Sequence, residues 1–454
     1  MVSQLFAAGI FIIMFAFIIS GKVERCIPAL VGAAAMLIIV FGFCMHSFEA
    51  IWDTINLKCF VTKEFWYAPG VAESSSSGIN WATILFFFGM MVLVEGMGEV
   101  GFFRWLCLKL AKLVKYKVIP IFITFMFLSA FLAMFIDSIT VVLFLTAITV
   151  ELSGLLKFNP VYMILPEIFC ANLGGAATMS GDPPNIIIGT SLGLSFMDFI
   201  KNTGVIALIA LFAIVIYFYI CFHKKLKGQA AAVDISSMPD PSSAIKNKPG
   251  FIISTIIFLI IVALLVTHAQ TGITVASIGA IAAVLTLVTS VDVKFSLLRK
   301  VDWETIFFFV GLFVVVGGLE QTHILEIIAN LINKLSGGNT MALISVILWF
   351  SAVASAIIDN IPFAATMVPV IRSISITQGI PLETLAWTLA LGTDIGGNAT
   401  PIGASANVVG TSIAAKNGHH ISWGSYCKYA LPATILCLVI CTLMLYFRYV
   451  MPMG

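Results

Sequence analysis

Two stretches of the 454-residue chain gather polar side chains inside apolar surroundings: ANLGGAATMSGDPPN (171–185) and TDIGGNATPIGASAN (393–407). Each contains a glycine pair, Gly174-Gly175 or Gly396-Gly397, which permits backbone geometry that a Cβ would forbid. Pro183 and Pro184 lack amide donors and cannot continue a preceding helix. Each stretch is therefore expected to interrupt a helix, leaving free carbonyls behind the break and free amides ahead of it. Free carbonyls suit a desolvated cation, and helix N-termini suit an anion or an oxygen-rich solute. Asn172, Thr178, Asn185, Asn398, Thr400, Ser405 and Asn407 add uncharged oxygens and amides. The plainer alternative is a pair of kinks whose polar groups satisfy one another.

Acidic residues sharpen the reading. FIDSIT (135–140) and IIDNIP (357–362) place Asp137 and Asp359 at the middle of two apolar regions. Ionisable groups at membrane depth are costly and mark function by default. Both aspartates read as cation ligands, for sodium, or as exchangeable proton sites, with Ser138, Thr140 and Asn360 beside them. Asp394 adds a third carboxyl, and Asp182 a fourth whose counterpart in the second stretch is Ala404. Glu167, one turn before Asn172, reads either as a proton carrier or as a paired buried acid. Glu95 and Glu320 fall near span ends, and Glu151 reads as an entrance residue. Neither stretch contains Lys or Arg, and Arg372 is the nearest fixed positive charge expected, snorkelling or paired. Carboxylates without fixed positive charge favour cations, protons or a neutral solute; an anion would need co-bound sodium.

Other chemistry is excluded. None of the six histidines lies near a motif, and the nine cysteines form no CxxC pair and read as small buried hydrophobes. There is no phosphate loop, nucleophile elbow or metalloprotease motif, so neither an enzyme, an organic cofactor nor a nucleic-acid partner is expected.

The elements that must hold these residues are membrane helices. Hydrophobic residues make up 60% of the chain and charged residues 10%, against about 25% charged in soluble domains. Apolar runs of bilayer length recur throughout, and the alternation of a β-barrel is absent. Full spans are expected near 3–20, 26–45, 81–98, 160–195, 203–222, 250–267, 272–290, 303–320, 384–413 and 428–448. The first run has no basic segment before it and reads as a retained span. Regions 117–156 and 340–377 carry the Asp motifs at their middles, as re-entrant hairpins or as paired spans; either way the tip must face protein or water. With re-entrant hairpins, 18 Lys and Arg fall on one side and 6 on the other. The basic side is then cytoplasmic, and both termini lie outside the cell membrane. Residues 223–249, polar and rich in Pro and Ser, read as a cytoplasmic linker.

A shift of 222 positions superposes NWATILFFFGM (80–90) on DWETIFFFVGL (302–312), Asp137 on Asp359 and Asn185 on Asn407. Residues 1–222 and 250–454 thus read as two repeats, each of five spans and one hairpin. Five is odd, so the second repeat should be inverted, as in many secondary transporters with a site at the midplane. A passive ion channel is the alternative of a different class.

GGAATMSGDPPNIIIGT, IIDNIPFAATMVP and GGNATPIGASANVVG resemble the ion transporter superfamily, most closely its P protein branch, over nearly the whole chain. The superfamily includes arsenite permeases, NhaD-type sodium/proton antiporters and sodium-coupled carboxylate symporters. The resemblance implies a scaffold and a transport domain, the latter holding both hairpins and both broken helices, and a homodimer working as an elevator. It implies a small ion or solute as cargo, with cation/proton antiport as the leading expectation and arsenite or small-solute transport as the alternative. The tips here, Asp137-Ser138-Ile139-Thr140 and Asp359-Asn360-Ile361-Pro362, depart from the Ser-Asn-Thr tips of the carboxylate relatives.

Overall fold

The protein is described by a computed structural model covering residues 2–20, 22–69, 78–227, 238–290, 294–336 and 339–451. Part of the expected linker, 228–237, lies outside the described residues. Where water is absent, backbone groups must be satisfied within the segment, and the regular elements of the described residues are accordingly helices. Nine of the described helices are long and apolar enough to cross a membrane.

The chain opens with α1 (Val2–Ser20) and α2 (Cys26–Ala35), which runs on as a π-helix, Met36–Cys44. Two short helices follow, α3 (Phe48–Ile55) and α4 (Lys63–Trp66), then α5 (Trp81–Glu99) and α6 (Phe102–Leu113). The first hairpin is α7 (Val118–Ala133) and α8 (Ser138–Leu156). The first broken helix is α9 (Val161–Gly175) and α10 (Pro183–Leu192), followed by α11 (Phe196–Phe199) and α12 (Val205–Lys227). The second half runs through α13 (Lys248–Thr271), α14 (Val275–Thr289), α15 (Lys294–Lys300), α16 (Trp303–Gln321) and α17 (Ile324–Ser336). Its hairpin is α18 (Thr340–Ile357) and α19 (Asn360–Gln378), its broken helix α20 (Leu382–Gly397) and α21 (Ser405–Lys416), and α22 (Trp423–Leu445) closes the chain.

The elements therefore fall where hydropathy placed them, with one class of exception. Helices α3, α4, α6, α11, α15 and α17 fall outside the expected spans. They are short and carry polar residues, as in FFRWLCLKLAKL of α6, so a search for apolar runs passes over them.

Local geometry recurs 222 positions on. Asn80 caps α5 by accepting from Thr83 N at 3.0 Å, and Asp302 caps α16 by accepting from Thr305 N at 3.0 Å. Phe87 of α5 and its counterpart Phe309 of α16 stack on each other, centroids 5.0 Å apart, a contact worth roughly 0.5–1.5 kcal/mol beyond its burial. The halves also cross over: α2 packs on α16 and α14 on α5, while α10 packs on α19 and α21 on α8. Each hairpin is thus covered by a half-helix from the other half, which brings the two breaks together.

Candidate functional site

Each broken helix ends on a glycine pair that lies flush against a neighbour. A Cβ on Gly174 would fall 2.1 Å from Ala130 O of α7, and one on Gly396 2.3 Å from Ala352 Cα of α18. Beyond each break the loop is tied to the hairpin tip. Thr178 Oγ1 donates to Met134 O at 2.5 Å, and Thr400 Oγ1 donates to Ala356 O at 2.5 Å. The loops then brace themselves: Asn185 Nδ2 donates to Gly175 O and Thr178 O at 3.0 and 3.1 Å. Asn407 Nδ2 makes the matching bonds to Gly397 O and Thr400 O, both at 2.8 Å. The hairpin tips therefore meet the broken helices at their breaks.

The two tips converge on one carboxylate, Asp182, which heads α10 and is 3% exposed. Ser138 Oγ, from the first tip, donates to Asp182 Oδ1 at 2.7 Å. Asn360 Nδ2, from the second tip, donates to Asp182 Oδ2 at 2.7 Å. Beside it lies the fully buried Asp394, whose carboxyl borders Asp182 and Asn185. Asn172 bridges the breaks: its Nδ2 donates to Asn398 Oδ1 at 2.9 Å and to Asn407 Oδ1 at 2.8 Å. Ser138, Asp182, Asn185, Asn360 and Asp394 thus form one buried polar group, and Asn172, Asn398 and Asn407 a second, and each joins both halves.

Asp137 and Asp359 do not join these groups in the same way. Asp137 caps its own helix, accepting from Thr140 N at 2.9 Å and Thr140 Oγ1 at 2.8 Å. Asp359 accepts from Ile361 N at 3.1 Å and from Ser405 Oγ at 2.8 Å, and it carries a fixed positive charge: Arg25 Nη1 lies 3.0 Å from its Oδ2. The two aspartates share no bonded partner. Glu167 stands apart on α9, where Thr149 Oγ1 donates to its Oε1 at 2.7 Å.

Arg25 corrects the expectation that Arg372 would be the nearest fixed charge. Arg25 Nη1 also donates to Ser405 Oγ at 2.7 Å and Nη2 to Thr305 Oγ1 at 3.1 Å, with Glu304 3.8 Å away. Arg372 is spent elsewhere, donating to Ser191 O at the end of α10 at 2.6 Å. In the sequence Arg25 sits one residue before an apolar span and counts as an interfacial charge. Only its 334-residue separation from Asp359, closed by packing, reveals it.

The site is rich in oxygen acceptors that converge from two hairpin tips and two helix breaks, with the guanidinium at one flank. Such a site can hold a small ion or a compact solute and can exchange a proton among carboxyls. Among the described residues no group of His, Cys, Asp and Glu forms a transition-metal site.

Comparison with known proteins agrees with this architecture. Residues 15–392 match the model of a family described as citrate transporter (CitMHS). The chain is 31% identical over 445 residues to the uncharacterized transporter Rv2684 of Mycobacterium tuberculosis, covering 98% of each. It is 28% identical over 439 residues to the human P protein, covering 79% of this chain and 52% of that protein. The fold is similar to that of the Alcanivorax borkumensis YdaH transporter, with a TM-score of 0.59 at 13% identity over 94% of this chain and 98% of that one. It is similar also to Neisseria gonorrhoeae MtrF, with a TM-score of 0.55 at 12% identity over 91% of this chain and 85% of that one. The chain belongs to the citrate transporter family and is a multi-pass integral membrane protein of a transporter family.

Proposed function

From its membership of the citrate transporter family, we propose that this chain is a secondary active transporter that exchanges a small ion or solute against a coupling ion, proton or sodium. The observation that carries the reading is the clamp on Asp182. Both hairpin tips hold the same buried carboxylate, so a change of charge or occupancy there is felt by both tips at once. A binding event can then be linked to a movement of the tips and broken helices against α1, α2 and α16, as an elevator requires. The crossed repeats, the basic cytoplasmic face with external termini, and a homodimer belong to the same proposal.

Cation/proton antiport is the specific form, since the site presents carboxyls at membrane depth. In proteoliposomes, a sodium, potassium or lithium gradient should drive a pH change that is lost in Asp182→Asn. Absence of any cation-driven pH change overturns the antiport. A second reading, uptake of a small carboxylate anion such as the citrate of the family's description, is favoured by Arg25, whose guanidinium suits carboxylate geometry. Gradient-driven accumulation of labelled citrate in the same vesicles, without a cation-driven pH change, would select it.

A further inference from the structure

The breaks of the two halves build the same amide frame, with a different residue in one slot. In the second half, both hydrogens of the Asn407 amide are committed to Gly397 O and Thr400 O, so its Oδ1 is the atom that faces the opposite break. There Asn172 supplies an N–H at 2.8 Å. In the first half, both hydrogens of the Asn185 amide are committed in the same way to Gly175 O and Thr178 O. Its Oδ1 has no partner, and the side chain that borders Asn185 is Asp394, 222 positions from Asn172, which has no hydrogen to give when ionised.

Around the second break, Asn172 Oδ1 and Asn398 Nδ2 are buried without a hydrogen-bond partner; around Asp394 the unpartnered atoms are oxygens. Asn185 Oδ1 and both oxygens of Asp394 are buried without a hydrogen-bond partner in the structure, and Asp394 is 0% exposed. Asp182, its other neighbour, already accepts on both oxygens from Ser138 and Asn360. The slot that Asn172 fills with a donor is filled in the other half by a carboxyl whose neighbours are Asp182 and Asn185, and both hydrogens of the Asn185 amide are already committed. A buried acceptor left unmet costs about 1–3 kcal/mol, and one proton on Asp394 would repair the contact.

We propose that Asp394 is the coupling-proton site: protonated, it donates its O–H to Asn185 Oδ1 and reproduces the Asn172–Asn407 bond, and deprotonated, it breaks the frame between the two halves. This rests on the coupled-transport reading and names the residue that would take its proton. The step moves one proton and no electrons; an O–H bond forms on an Asp394 oxygen as a proton leaves water, and the reverse releases it. The surroundings leave Asp394 few electrostatic partners. The elements packed on α20 include α9, α10, α18, α19 and α22, and the short π-helix Ile200–Gly204. From these, Asp182 faces Asp394, and Asp359 acts on Asp182 while holding Arg25. Glu167 is bonded to Thr149 and Arg372 to Ser191 O. Cys170, Cys437 and Cys441 form their own apolar group, Tyr426 neighbours Cys427, and Lys201 is exposed.

Infrared difference spectra of the purified full-length protein, between acidic and alkaline buffer, test this without any transported ligand. A protonated-carboxyl band that titrates is expected. One component should vanish in Asp394→Asn, persist in Asp137→Asn, Asp359→Asn and Glu167→Gln, and return in the double swap Asn172→Asp with Asp394→Asn. The swap keeps the number of carboxyls and amides and carries the test if Asp394→Asn alone does not fold. In vesicles, Asp394→Asn should lose flux driven by a pH gradient, probed with sodium, potassium, lithium and citrate. A titrating band unchanged in Asp394→Asn, no such band in the unmodified protein, or no recovery in the swap overturns the proposal. Absence of gradient-driven flux for every probe overturns coupled transport instead, and the infrared result still decides the role of Asp394.

Discussion

At the scale of single residues, the site depends on atoms that are absent as much as on those present. Gly174 is the clearest case, because the carbonyl of Ala130 occupies the place of its missing side chain, 2.1 Å from a Cβ. Gly174→Ala should destabilise the protein by about 1–3 kcal/mol, the usual cost of overpacking, seen as a lower thermal midpoint in detergent. Gly154 in α8 has open space around it, and Gly154→Ala should raise the midpoint slightly, by roughly the 0.8–1.0 kcal/mol that separates Gly from Ala in a helix. The glycine pairs were legible because backbone permissiveness is a property of the residue itself. The duties of Asp137 and Asp182 were not legible from residue type: one caps its own helix, and the other is held by both tips.

At the scale of elements, length and apolarity located the spans, because the bilayer imposes both locally. The amphipathic α6 and its dock escaped this logic. Lys112 of α6 meets Asp240 at 2.8 Å, and Tyr116 Oη donates to Pro239 O at 2.9 Å, pinning the described end of the linker. Hydrogen bonding from Lys112 and Ser242 holds the Asp240 carboxyl down at about 2. A depressed carboxylate adds stability that is present above the ordinary range near ~4 and lost as pH falls toward that lower value. Both groups are fully exposed to solvent, so salt screens the pair. Asp240→Asn should therefore leave the thermal midpoint unchanged at neutral pH and physiological salt.

At the scale of the whole molecule, Arg25 ties α2 and α16 to the second hairpin and the second broken helix. Its ion pair with Asp359 is only partly buried, with side-chain exposures of 21% and 14%. Removing the cation leaves Asp359 charged against Ser405, whereas removing both partners leaves no orphan charge. Arg25→Met should cost about 1–3 kcal/mol, below the 3–5 of a fully buried pair because solvent screens it. The Arg25→Met, Asp359→Asn double variant should lose less than the sum of the two single changes, as a thermal-unfolding cycle would show. Strict additivity would mean that the two groups do not hold the helices together.

The sequence by itself determined the membrane class, the positions of the long apolar helices and their breaks, and the 222-residue repeat of the polar motifs. These follow from local properties: run length, missing side chains, missing amide hydrogens, and identical residues in register. Only the tertiary structure decided that Asp182 receives both tips, that Asn172 rather than Asp394 holds the opposite asparagine, and that Arg25 belongs to the site. Those contacts join segments up to 380 residues apart. Their geometry is set by how helices of opposite halves pack, and no window of sequence contains that information.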